Sequence, residues 1–198
     1  MSALASPLAD YVALTAKVDA FADAVSARCA SQISCRSGCA GCCQVDLTVS
    51  SIEAASIAEH LRATRAAAEP PALGAEAAAT FCAEDATADA LPRCVFLSAA
   101  DACLIYPVRP LVCRSQGLPL RYPSDFLPEA AVRLRVRSGA VTICPLNFVD
   151  AQPSPHDVLD AERVDQILAL LNLRYCREHG IDPEQRVSLR ALRDSAYP

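Results

Sequence analysis

Cys35-Arg36-Ser37-Gly38-Cys39-Ala40-Gly41-Cys42-Cys43 places four thiols within nine residues, the last two adjacent. Three chemistries use such a run: a disulfide framework, a reactive dithiol, or a set of metal ligands. The chain is 198 residues long and 53% hydrophobic. It can therefore bury a core without the disulfide staples on which chains below about 80 residues rely. Its opening, MSALASPLADYVALTAK, lacks a basic leader followed by a continuous apolar stretch. No export signal is expected, and the reducing cytoplasm is the expected compartment. The 11 cysteines are odd in number. Compartment, size and parity together disfavour disulfides.

Composition narrows the partners. Net charge is −5 and no Lys/Arg-rich run is present, whereas a phosphate backbone calls for a basic face, so nucleic acid is not expected. No apolar run approaches the roughly 20 residues of a membrane span. At roughly 150 residues per domain, a single domain is expected. The expected organisation is an N-terminal helix over 1–30, a cysteine-cluster domain over 31–148, and a C-terminal helical segment over 149–198 packed on the same domain.

Outward from the cysteines, hydrophobic periodicity sets the fold class. Ser6-Pro7 reads as an N-cap with proline at the first helical position, and Leu8, Tyr11, Leu14, Val18, Phe21 and Val25 form one helical face ending near Arg28. The cysteine run has no helical period and should be a tight loop. VDLTVS alternates as a short strand, and a helix follows from SSIEAASIAEHL to Glu69-Pro70-Pro71. Ser50 and Glu53 have capping-box spacing, which favours a capping role for Glu53 over a catalytic one. Residues 72–88 are alanine-rich and read as a third helix or a connection. Val95-Phe96-Leu97 and Leu104-Ile105-Tyr106 read as two short strands around an Ala-Ala-Asp turn. Val132, Leu134 and Val136 alternate with Arg133, Arg135 and Arg137, and Ser138-Gly139 then turns the chain into AVTIC. Val164, Ile167, Leu168, Leu171 and Tyr175 mark a C-terminal helix with Gly180 as its cap. Asp182-Pro183 signals a last helix to about Ser195. The expected fold is mainly α with a small β component (α+β), an irregular cysteine-rich core with short hairpins flanked by helices.

The cysteines form groups. Cys35, Cys39, Cys42 and Cys43 make one, Cys94, Cys103 and Cys113 a second, and Cys144 closes the hairpin. Thiolates are soft ligands that select zinc, copper(I) and iron–sulfur clusters. In Cys39-Ala-Gly-Cys42, two intervening residues let one turn aim both sulfurs at a single centre. Neighbouring side chains tend to diverge, so Cys42 and Cys43 are expected to serve different centres, or one of them to pack in the core. Cys29, Cys82 and Cys176 lack metal-like spacing and read as small hydrophobes. His60, His156 and His179 sit in polar contexts and read as surface residues.

CRSGCAGCC, RCVFL, ACLIYPVRPLVCR and ICPL together resemble the YkgJ-type cysteine-cluster proteins, a zinc- or iron-chelating domain with a CxxCxxCC signature, over about residues 35–147. The first interval, Cys35-x3-Cys39, is one residue longer than that signature. The resemblance implies a metal-binding set of Cys35, Cys39, Cys42, Cys43, Cys94, Cys103, Cys113 and Cys144. Around Cys113, Tyr106, Arg109 and Arg114 are candidates to surround the ligands. The two arginines could donate to sulfur or offset thiolate charge, or equally form a salt bridge with a nearby carboxylate.

A metal ion is thus the expected partner, and the sequence names no protein partner. The expected cofactor is iron, as an iron–sulfur cluster, or zinc. Surplus and adjacent cysteines favour iron, which would bring a redox role. A closed zinc site would instead staple a non-enzymatic binding module. A metal-free oxidoreductase using Cys39 and Cys42 would want a thioredoxin-like βαβ pattern, which is not found.

Overall fold

Ser6 starts the first helix as its sequence suggests: its Oγ accepts the Ala9 N–H at 3.2 Å, and Pro7 occupies the first turn. In a computed structural model, which describes residues 6–67, 93–122 and 141–196, this helix is α1 (Pro7–Arg28). Strand β1 (Thr48–Ser50) and helix α2 (Ser51–Ala67) follow, then α3 (Leu111–Ser115), β2 (Leu120–Arg121) and β3 (Leu159–Asp160). The chain ends with α4 (Ala161–His179), β4 (Arg186–Ser188) and α5 (Leu189–Ala196). Single 3-10 turns lie at Gly41–Cys43, Tyr106–Val108 and Pro155–Asp157. The fold is mainly α with a small β component. Among the described residues, no helix is long and apolar enough to cross a membrane. The alanine-rich segment 72–88, the end of α2 at Glu69-Pro70-Pro71, Cys82, and the hairpin over Val132–Gly139 lie outside the described residues.

The chain divides into two compact units. The first comprises Met1–Arg36 and Arg109–Gln185. Here α1 packs against α3 and α4, burying Tyr11, Leu14, Val18 and Val25 from the expected face. Val25, Leu118, Leu120, Ile143, Phe148 and Ala161 form its core. Each of these side chains larger than Ala161 contributes about 1.5–3 kcal/mol on leaving water, before entropy is subtracted. Parallel β2 and β3 pair Leu120 with Leu159, and Thr142 bridges Leu120 from the other side. Asp160 caps α4 by accepting the Arg163 N–H at 3.1 Å, and Gly180, at φ +66°, ends it in the left-handed conformation that glycine adopts without a Cβ penalty.

The buried stripe of α4 departs from the periodicity reading. It runs through Ala161, Leu171, Asn172 and Cys176, while Ile167 is exposed. Asn172 tolerates burial because its amide donates to the Pro183 carbonyl at 3.2 Å and its Oδ1 accepts from Cys176 Sγ at 3.7 Å. A stripe containing a satisfied polar residue is invisible to a count of apolar positions.

The second unit comprises Ser37–Val108 and Arg186–Pro198. Antiparallel β1 and β4 pair Val49 with Val187. Glu53 caps α2 as expected, its carboxylate accepting the Ser50 N–H at 3.0 Å and the Ser50 hydroxyl at 2.8 Å. The core joins Val49, Ile57 and Leu61 to Phe96, Ile105 and Leu189. The hairpin expected over 95–106 contracts to one bridge, Leu97 with Cys103, beside a Leu104 N–H to Phe96 carbonyl bond of 2.8 Å. Tyr106 instead enters a 3-10 turn. The last helix begins later than its Asp182-Pro183 signal. Asp182 closes a turn by accepting the Glu184 N–H on its side chain and the Gln185 N–H on its carbonyl, both at 3.0 Å. The chain then spends Arg186–Ser188 in strand pairing before α5 starts.

Candidate metal centre

In the second unit, the 3-10 turn Gly41–Cys43 carries two adjacent cysteines, and the Cys43 N–H closes it on the Ala40 carbonyl at 2.9 Å. The expectation of divergent side chains does not hold. Cys43 is side-chain hydrogen-bonded to Cys42, and that bond pulls the Cys42 thiol down to about 7 against the opposing effect of burial. The turn is tight enough to keep both sulfurs together. The Cys94 N–H donates to the Cys43 carbonyl at 2.8 Å, which ties Cys94 to this turn through the backbone. Burial pushes the Cys94 thiol up, with the charges of Asp46 and Cys42 adding to it. Cys94 and Cys103 both pack at the edge of this unit's core. Cys39 is half-buried. The Cys42 thiol, lowered towards neutral pH, offers a cation a first thiolate. Further thiols would ionise under the charge of a bound divalent ion.

The first unit holds Cys35, Cys113 and Cys144. Cys113 lies on α3, its N–H bonded to the Pro110 carbonyl at 3.0 Å. Cys35 and Cys144 flank Asn147: its amide donates to Cys35 Sγ at 3.3 Å, and its backbone N–H donates to the Cys144 carbonyl at 2.9 Å. Beside Cys113, Arg109 pairs with Asp19 of α1 at 3.0 Å, and the buried Arg114 guanidinium bonds the same carboxylate and the Arg109 carbonyl. The carboxylate reading of these arginines therefore has its partner. Tyr106, in the second unit, is 60% exposed.

The remaining thiols behave differently. Cys176 is fully buried on α4. Cys29, read as a small hydrophobe, has a polar contact: its Sγ donates to Asp157 Oδ2 at 3.5 Å, and Arg28 binds Oδ1 through Nε and Nη2. Burial first, then that carboxylate, raises the Cys29 thiol, while the Arg28 bonds hold Asp157 below the usual carboxylate range. His156 and His179 are exposed and His60 is half-buried.

Asn147, Gly117, Asp19 and Asp157 were not singled out from the sequence. None carries a motif, and each acts on a residue at least 82 positions away (Gly117 on Cys35). Among the described residues, no group of three or more His, Cys, Asp or Glu side chains is already drawn together at metal-holding distance. The fit to a metal rests on donor chemistry: soft sulfurs, one with a depressed pKa, on a turn bonded to Cys94.

Residues 34–124 match the family model CxxCxxCC, described as "Putative zinc- or iron-chelating domain". The matched segment contains Cys35, Cys39, Cys42, Cys43, Cys94, Cys103 and Cys113, and Cys144 falls beyond it. No curated protein and no solved structure matches the chain.

Proposed function

We propose that the chain holds iron or zinc through thiolates drawn from Cys35, Cys39, Cys42, Cys43, Cys94, Cys103, Cys113 and Cys144, a reading supported by the match of residues 34–124 to the CxxCxxCC model. The observation that carries this reading is the backbone bond from Cys94 to Cys43, beside a Cys42 thiol lowered to about 7. It brings Cys94, distant in sequence, to the turn that carries Cys42 and Cys43. Adjacent and surplus thiols favour iron, and an iron–sulfur cluster would supply one-electron redox chemistry in the cytoplasm. Arg109 and Arg114, held by Asp19, would offset thiolate charge near Cys113.

A second reading has its own observation. A Cys42 thiol with a lowered pKa next to Cys43 also suits a metal-free dithiol. Anaerobic purification followed by a visible spectrum and assays of iron, zinc and acid-labile sulfide separates these readings. Brown protein with iron and sulfide supports the cluster. Colourless protein with stoichiometric zinc makes it a stapled binding module. Neither metal leaves the dithiol.

A further inference from the structure

Asn147 lies outside the matched family segment and is 2% exposed. Its side-chain orientation is fixed by two partners of opposite kind. Oδ1 accepts the Ser34 N–H at 2.8 Å, which only an oxygen can do, and Nδ2 donates to the Gly117 carbonyl at 2.7 Å, which only an NH2 can do. The second amide hydrogen is then directed to Cys35 Sγ, 3.3 Å away. The space for that sulfur is equally specific. Gly117 sits at φ +90°, and a Cβ there would come within 2.5 Å of Cys35 Sγ and 3.3 Å of Asn147 Nδ2. The backbone around Asn147 is held too. Phe148 adopts φ +52°, costly for a bulky residue, and is kept there by burial and by its N–H to the Gln32 carbonyl at 2.7 Å. Ser34 adds a hydroxyl bond to the Leu146 carbonyl at 2.9 Å.

We infer that Asn147 is the positioning residue for Cys35: it aims the sulfur and donates one N–H to it as a metal ligand, with Gly117 providing the clearance. The inference rests on the chelation reading above. A thiolate that receives an N–H bond is oriented and partly neutralised without losing its metal-binding lone pairs, and residues that support ligands in this way change metal affinity by about 10- to 100-fold when replaced. It also gives Cys35 a defined place despite the lengthened Cys35-x3-Cys39 interval.

The test uses the reduced, metal-free full chain, labelled with nitrogen-15, and cobalt(II) as the probe. The Asn147 side-chain amide resonances should shift on Cys35→Ser, a mild change at an exposed residue. Asn147→Asp keeps the oxygen that serves Ser34 and replaces the donor with an acceptor. It should weaken cobalt binding about 10- to 100-fold and move the sulfur-to-cobalt charge-transfer band. In a Cys35→Ser background the same change should do neither. Gly117→Ala should mimic Asn147→Asp by displacing the sulfur. An amide unresponsive to Cys35→Ser overturns the inference even where Asn147→Asp fails to fold. Equal weakening by Asn147→Asp in both backgrounds overturns it as well, since a purely structural role predicts that result. A wild-type chain that binds no cobalt while the amide still responds overturns the chelation reading, and with it the ligand role of Cys35, but leaves the hydrogen bond itself demonstrated.

Discussion

Arg114 of α3 and Asp19 of α1 form an ion pair in which the guanidinium is almost fully buried and the carboxylate about one-third exposed, at 5% and 35% side-chain accessibility. Arg109 shares the same carboxylate. One acidic residue thus compensates two cations on either side of Pro110, at the entrance to the helix that carries Cys113. Asp19→Ala should destabilise the protein by about 2 kcal/mol, less than the loss from a fully buried pair because water reaches the carboxylate. Urea denaturation measures this, and Asp19→Glu should recover part of the loss. An unchanged midpoint for Asp19→Ala would show that the arginines are held by other contacts.

Glu53, unlike the partly exposed Asp19, is a buried acid spent on structure. It is 3% exposed and accepts both the backbone N–H and the hydroxyl of Ser50. Glu53→Ala removes the acceptor of both Ser50 bonds at the start of α2 and should cost about 1–2 kcal/mol. Bound metal per chain should stay at the wild-type level. A loss of metal at unchanged stability would move Glu53 from the cap to the centre.

Local signals were legible and distant ones were not. Ser6-Pro7, the Ser50–Glu53 spacing and Gly180 each act within four residues, so their roles follow from the sequence directly. The pairing of Thr48 with Ser188 spans most of the chain, and nothing in RVS beyond its central valine signals a strand rather than the first turn of a helix. The cysteine groups stood out by spacing. That Cys42 and Cys43 would hydrogen-bond to one another depends on the 3-10 turn that carries them, which spacing does not encode. Asn147 was silent for a similar reason: a lone asparagine in ICPLNF has no pattern, and its meaning comes from Ser34, Cys35 and Gly117.

The Arg28–Asp157–Cys29 cluster makes stability depend on pH at both ends. Asp157 is held below the usual carboxylate range by Arg28, so its stabilisation is present above about pH 4 and is lost as pH falls through its lowered pKa. Cys29 is shifted the other way by burial and by Asp157. Its contribution is present below about pH 8.5 and is lost as pH rises through its raised pKa. Asp157→Asn should flatten the acid limb of a stability–pH profile and bring the onset of Cys29 alkylation to lower pH. Labelling of Cys29 that follows the same pH curve in both proteins would remove Asp157 from the account.

Cys113 and Cys176 separate a ligand role from a packing role on neighbouring helices of one unit. Cys113 sits in ACLIYPVRPLVCR, within the matched segment, on the helix whose arginine is fixed by Asp19. Cys113→Ser should abolish metal retention, because a neutral hydroxyl replaces a thiolate that a soft cation selects. Cys176 is fully buried on α4 and donates to Asn172 Oδ1 at 3.7 Å, a bond a serine hydroxyl can reproduce. Cys176→Ser should therefore leave metal content unchanged and alter stability by no more than about 1 kcal/mol. Metal analysis of the two purified variants checks both. Full metal in Cys113→Ser would take that residue out of the ligand set. Loss of metal in Cys176→Ser, with the fold intact by circular dichroism, would mean that the cysteines are divided differently between packing and chelation.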